Sequence, residues 1–189
     1  MKNLQQIIFA IILTAATLFS GSCISQNSKD SILPPLENSF RLNIVNPSAE
    51  WHFVRNENAL YVLKVGLNYY GEIILGYPSS IEWQFKPMAS ISHRWYYNRL
   101  KRLNNGRIVK KNSGNYVSLK FMALGPDIIS TDSKNSDFIA SLGPQWGMQR
   151  KYGKSLSFKL EIGPVVYWNS DNKVGVELSG GIGLGFIIK

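Results

Sequence analysis

Large apolar residues alternate with small or polar residues along most of this chain. In the clearest run, residues 174–186, every second residue is apolar except Gly180, and the residues between them are glycine, serine or glutamate. A period of two predicts a β-strand with one apolar and one polar face. The same period predicts six further strands, in residues 49–53, 61–68, 81–92, 117–123, 138–149 and 155–168.

Short polar segments separate several of these strands. Residues 55–58, 151–154 and 169–173 are too short for crossover helices, so they predict hairpins and an all-β, antiparallel, up-and-down sheet. The composition of the polar face, described next, favours a bacterial membrane barrel. Such barrels have an even number of strands, so seven segments imply an eighth, which we place at residues 72–77. A barrel of about eight strands is filled by its own side chains, which predicts no open solute channel.

The composition of the polar face indicates which side of the strands is exposed. This face carries mainly Gly, Ser, Gln and Asn, whereas a soluble sheet exposes many Lys and Glu side chains. Its few charges are nearly balanced, so we predict an interior polar network of Glu50, Lys64, Glu82, Lys86, Arg94, Lys120, Lys159, Glu161 and Glu177. The apolar face then lies against lipid, which predicts a transmembrane β-barrel over residues 40–189.

Tryptophans near the strand ends match the aromatic girdle of a membrane interface. They are Trp83, Trp95, Trp146 and Trp168. A secreted soluble barrel that binds a small apolar ligand in its interior is the alternative architecture.

The first residues have the layout of a secretory signal peptide. Lys2 precedes an apolar stretch at 7–19, which is too short for a permanent transmembrane helix, and small residues follow it. We predict a signal peptide at 1–25 and a periplasmic lead-in at 26–39. Cleavage before Gln26 and lipidation of Cys23 in a degraded lipobox are the two alternatives for processing.

Composition excludes several classes of chemistry. One Cys and two separated His rule out a disulfide framework and the usual zinc spacings, so we predict no cofactor and no metal. Charged residues make up 17% of the chain, which is low for a soluble domain.

The formal net charge of +9 is concentrated in one acid-free segment, residues 94–111. Apolar residues recur there at helical spacing, which predicts a short amphipathic helix ended by Gly106. We predict binding to anionic lipid head groups or a periplasmic protein through Arg99, Lys101, Arg102, Arg107, Lys110 and Lys111. A solvated basic loop is the alternative, and no recognition motif indicates nucleic acid.

Three stretches carry a resemblance to a known group of proteins. They are residues 94–98 (RWYYN), residues 112–120 (NSGNYVSLK) and residues 141–154, which contain SLGP and QRKYGK. In these stretches the chain resembles small outer-membrane β-barrel proteins of Bacteroidota-type bacteria. The resemblance implies a Gram-negative outer-membrane location and a barrel fold, and it implies no activity.

Candidate catalytic groups are few. Some eight-stranded barrels are lipid-modifying enzymes that use His with Ser and an acid, and Ser92, His93 and a neighbouring Glu could form such a set. By register, however, His52 faces inward beside Glu50, and His93 faces outward near Trp95. We therefore predict a non-enzymatic outer-membrane barrel with a structural, anchoring or partner-binding role, and keep a lipid-modifying enzyme as the alternative.

Overall fold

The computed structural model describes residues 32–74, 80–130, 138–171 and 173–188, and for 69–74, 80–84 and 129–130 it describes the backbone alone. The predicted signal peptide and Cys23 lie outside these ranges. Within them, one helix and nine strands form. They are β1 (Ser39–Asn43), β2 (Ser48–Val54), β3 (Ala59–Ile74), β4 (Ser80–Tyr96), α1 (Arg99–Asn104), β5 (Gly114–Leu124), β6 (Ile129–Ser130), β7 (Ile139–Tyr152), β8 (Leu156–Asn169) and β9 (Val174–Ile187).

Eight of these described strands close into one antiparallel ring. They follow chain order from β1 to β5 and then β7 to β9, and β9 pairs back with β1 from Arg41↔Ile187 to Asn43↔Gly185. The two-residue β6 pairs with β4 beyond the end of β5. The predicted all-β antiparallel fold of about eight strands is therefore confirmed as a closed ring.

The position predicted for the eighth strand is wrong. Residues 72–74 continue β3, whose backbone pairs with β4 as far as Ile74↔Ser80, and residues 75–79 lie outside the described part. The eighth strand is β1, in which Phe40 and Leu42 alternate with Arg41 and Asn43. It has five residues, too few to stand out beside the longer runs.

Burial in the ring is inverted relative to a water-soluble fold. Among the described side chains, buried polar and charged ones outnumber buried apolar ones, and large apolar side chains remain exposed on the outer face of most strands. Leu63, Leu119 and Ile162 are each more than 40% exposed, whereas Glu50, Arg94 and Glu161 are at most 4% exposed. The predicted assignment of polar residues to the inner face is confirmed for these positions.

The two ends of the ring differ. One, the helix end, holds α1, the turns at 55–58 and 153–155 and the lead-in residues 32–38. The other, the loop end, holds the turn at 44–47 and the described residues 170, 171 and 173 between β8 and β9. Gly106, at φ +67°, follows α1, and its N–H donates to Leu103 O at 2.9 Å, so the predicted helix stop is confirmed. Among the described residues, none of the helical segments is long and apolar enough to cross a membrane.

Candidate functional site

Buried charged side chains meet in the middle of the ring around two carboxylates. Glu50 on β2 and Glu161 on β8 are almost completely buried. The ammonium group of Lys159 donates a hydrogen bond to Glu50 and lies 3.7 Å from Glu161 Oε2, so it links the two. We call this group, with the residues that contact either carboxylate, the interior cluster.

Glu161 is bound by donors from three further positions. Arg94 Nη2 on β4 donates to Oε1 at 2.9 Å, the Tyr116 hydroxyl on β5 donates to the same oxygen at 2.8 Å, and Lys120 Nζ lies 3.3 Å from Oε2. The Arg94 guanidinium also lies 4.7 Å from the centroid of the Tyr116 ring. Charge-assisted hydrogen bonds of this kind tie β4, β5 and β8 together across the interior.

Glu50 is bound from the other side of the cluster. Asn43 Nδ2 donates to Oε1 at 3.1 Å, His52 Nε2 lies 3.4 Å from Oε2, and Arg41 Nη1 lies 3.9 Å from Oε2. The second ring nitrogen of His52 lies 3.4 Å from Asn112 Nδ2. The prediction that His52 joins an interior hydrogen-bond network is therefore confirmed.

The cluster leaves neither carboxylate available as a free base. Each is held by an ammonium group and by further donors, and both are almost completely buried. Hydrogen bonds and opposite charges offset part of the cost of desolvating buried ions. The Arg41 guanidinium, in contrast, has no hydrogen-bond partner among the described residues. This arrangement of the cluster fills the interior and cross-links β2, β4, β5 and β8.

Tyr116 reaches Glu161 because the neighbouring strand has a glycine beneath its ring. Gly147 on β7 pairs with Tyr116, and a Cβ on Gly147 would lie 2.5 Å from two atoms of the Tyr116 ring. The aromatic ring of Tyr116 therefore packs against the backbone of β7 at Gly147, and a side chain at position 147 would have to displace it.

We expect Gly147→Ala to destabilise the ring by about 1–3 kcal/mol, the usual cost of overpacking a well-filled interior. Urea unfolding of the purified protein, followed by tryptophan fluorescence, measures the effect. Gly181→Ala on β9 is the matched control, because no described atom lies within 4 Å of a Cβ at Gly181. Equal stability of the two variants would contradict the packing of Tyr116 on Gly147.

The helix end is closed by hydrogen bonds between segments far apart in sequence. Asn112 is buried; its Oδ1 accepts from Glu37 N–H at 2.8 Å and its Nδ2 donates to Glu37 O at 2.8 Å. Lys111 Nζ lies 2.8 Å from Glu37 Oε2. Although partial burial favours the neutral acid, the hydrogen bonds and charge of Lys111 hold the pKa of Glu37 below its usual range. The lead-in is thereby fixed across the end of the ring.

The structure separates the basic residues of the predicted lipid or partner surface into two groups. Arg99 and Arg102 are buried, and they donate to backbone carbonyls of Pro34, Pro35, Glu57 and Ile108. Burial lowers the pKa of both guanidinium groups. Lys101, Arg107 and Lys110 are exposed, and Lys111 pairs with Glu37. Only the exposed members are accessible to a ligand on the surface.

The structure brings most of the predicted interior network together. Glu50, Arg94, Lys120, Lys159 and Glu161 belong to the interior cluster. Three more, Lys64, Lys86 and Glu177, line a cavity at the loop end, which Lys120, Lys159 and Glu161 of the interior cluster also line. Glu82 lies in a stretch for which only the backbone is described.

The proposed Ser–His set is not assembled. Ser92 is buried in the interior, whereas His93 lies on the outer face, stacked 4.0 Å from the Trp95 ring. Adjacent residues of a strand point to opposite faces, so these two side chains cannot act on one substrate. No group of three or more potential metal ligands occurs among the described residues.

Sequence reasoning missed three members of the interior cluster. Arg41 and Asn43 lie on β1, which was not predicted, although their alternation with Phe40 and Leu42 carried the signal. Tyr116 was not assigned a face, yet it has the same parity as the inward residues Ser118 and Lys120. All three could have been found by extending the period of two to shorter runs and outward from the ends of the predicted strands.

Comparison with known proteins gives no relative for this fold. No family model matches the chain, and neither the curated proteins nor the solved structures contain a significant match.

Proposed function

We propose that this protein is a β-barrel of the bacterial outer membrane with no open solute channel and a structural, anchoring or partner-binding role. The observation that carries the proposal is the inverted burial of the ring, in which apolar side chains face outward and charged ones face inward. In water this distribution exposes apolar surface at a cost of about 25 cal/mol per Å². In a bilayer the same outer face is favourable.

A closed ring also suits a bilayer for its backbone. Strands paired on both sides leave no free edge in the hydrocarbon, where an unsatisfied amide costs several kcal/mol. Exposed tryptophans support the same placement. Trp95 and Trp168 lie outward near opposite ends of the ring, and Trp146 Nε1 donates to the exposed Tyr97 hydroxyl at 2.7 Å. Indole and phenol groups of this kind favour the membrane interface.

The packed interior supports a role other than solute passage. The interior cluster crosses the ring at the level of Glu50 and Glu161, and the lead-in and α1 close the helix end below it. The predicted signal peptide and the start of β1 at the helix end support a periplasmic location for that end. Lys101, Arg107 and Lys110 there are available to anionic head groups or to a periplasmic protein.

Cell fractionation tests the location. We expect the protein in the outer-membrane fraction, resistant to carbonate extraction, and migrating differently on gels before and after boiling, because a closed ring of strands resists detergent at room temperature.

The Gly147→Ala variant, run beside the wild-type chain, provides a reference for the gel shift. Its strand ring is less stable, so we expect it to lose the shift at a lower temperature than the wild-type chain. Recovery of the wild-type protein in the soluble periplasmic fraction without detergent would overturn the membrane proposal and favour a soluble, ligand-binding ring.

A further inference from the structure

The wall of the ring is incomplete on one side of the loop end. The hairpin of β1 and β2 is short: its pairing with β3 ends at Ser48↔Gly66, and its pairing with β9 ends at Asn43↔Gly185. One further backbone hydrogen bond on each side joins Pro47 to Leu67 and Ile44 to Leu184. Beyond these, no described strand lies between β3 and β9. We call this gap, above the turn at 44–47, the notch.

A cavity of about 570 Å³ lies inside the ring at the notch. Asn43 and Asn46 line it beside the short hairpin, and the small residues Ser179, Gly180 and Gly181 line it on β9. Its volume is in the range of small-molecule sites. The cavity therefore has room for a ligand that enters from the side.

The cavity lining carries an excess of positive charge. Among its described lining residues are four lysines, Lys64, Lys86, Lys120 and Lys159, against two carboxylates, Glu161 and Glu177. Lys120 and Lys159 already share Glu161, and Lys86 faces Asp127 at 3.6 Å. Lys64 lines the cavity without an ion pair to any side chain that the structure describes, so the excess favours an anionic group.

Apolar side chains line another part of the cavity and the rim of the notch. Met88 and Met122 face the interior, and Leu178 and Ile182 on β9 are 72% and 56% exposed. Flexible methionines suit ligands of variable shape. The cavity thus combines cationic side chains from β3, β4, β5 and β8 with apolar side chains at the rim of the notch, which is the polarity of an acidic amphiphile.

We propose that the cavity binds an acidic amphiphile, with its carboxylate or phosphate on Lys64, Lys120 and Lys159 and its acyl chain passing through the notch along Leu178 and Ile182. The route of the acyl chain into lipid rests on the proposed membrane location, and the cationic cavity does not. The head group displaces water from the lysines, and the chain covers apolar surface at the rim.

Calorimetric titration of the full mature chain in a neutral maltoside detergent tests the proposal, with protein-free micelles as the blank. Laurate and dodecyl phosphate are the probes. Two partial ligands serve as controls: dodecanol, which lacks the charge, and inorganic phosphate, which lacks the hydrocarbon chain. We expect saturable binding of one anionic amphiphile per chain and much weaker binding of the two partial ligands. Inorganic phosphate binding as tightly as dodecyl phosphate would overturn the proposal.

Variants locate the site. Lys64→Met should weaken binding by about tenfold, the value of one charge-assisted hydrogen bond, whereas Lys154→Met removes an exposed charge from the turn at 153–155 and should leave binding unchanged. Gly181→Phe fills the cavity from a position with open space around its Cβ and should also abolish binding. Unchanged binding in Lys64→Met and Gly181→Phe, each checked for the gel shift of the folded ring, would overturn the assignment.

The two proposals fail separately. A protein that stays in the membrane and binds neither anionic probe overturns the cavity proposal alone. A protein recovered in the soluble fraction that binds laurate or dodecyl phosphate overturns the membrane location and supports the cavity.

Discussion

Replacing Ile162 with arginine should destabilise the protein in lipid vesicles by about 2–4 kcal/mol, the cost of placing a charge near the middle of a membrane barrel's outer face. Ile162 lies halfway along β8 and is 44% exposed on the outer surface. In a water-soluble ring the same arginine would be solvated and would cost little. The size of the loss in stability therefore decides whether lipid or water surrounds the outer face of the ring.

Ile108→Arg is the matched control for this measurement. Ile108 lies in the segment after α1, outside the strands, and is 52% exposed, so the chemical change and the loss of exposed apolar surface are alike. Denaturant unfolding in vesicles, with folding also scored by the gel shift, compares the two variants. Equal tolerance of arginine at both positions would contradict burial of the outer face in lipid.

Glu161→Gln should cost about 3–5 kcal/mol, because it leaves buried cations without their counter-charge. The glutamine keeps the volume of the side chain, so the loss reports charge and hydrogen bonding more than packing. Arg94, Lys120 and Lys159 all lie within 4 Å of the Glu161 carboxylate and would repel each other in its absence. We expect a lower midpoint of urea unfolding and a gel shift that is lost at a lower temperature.

Glu177→Gln controls for the change of charge. Glu177 lies on the inner face of the adjacent strand β9, but its side chain is exposed and has no ion pair with the described residues. Its substitution should change stability by less than about 0.5 kcal/mol. A loss as large as that of Glu161→Gln would mean that total interior charge, and not the cluster around Glu161, stabilises the ring.

The period of two predicted much of the fold. It identified seven strands, the hairpin order and the inward face, because each depends on the alternation of side chains along a single strand. Glu50, Arg94 and Glu161 were assigned to the interior on that parity alone. The same rule separated Ser92 from His93 and so argued against a catalytic pair.

Features that depend on pairing between distant segments were not predictable in this way. Arg99 and Arg102 have the composition of a solvated basic surface, yet they are buried against backbone carbonyls that the chain brings to them from as far back as Pro34. The register between strands decides which of the lysines that line the cavity also contact Glu161. A pattern within one segment carries no information on that register.

The closure between β1 and β9 has a consequence for the order of folding. It joins the two ends of the described chain through residues 41–43 and 185–187, whereas the β3–β4 hairpin pairs over the whole length of both strands. Local hairpins form with little loss of chain entropy, and pairing between distant segments forms slowly. We therefore expect the ring to close last at β1 and to open first there. Its stability against unfolding should then depend on how firmly Asn112 and Arg99 hold the residues that lead into β1.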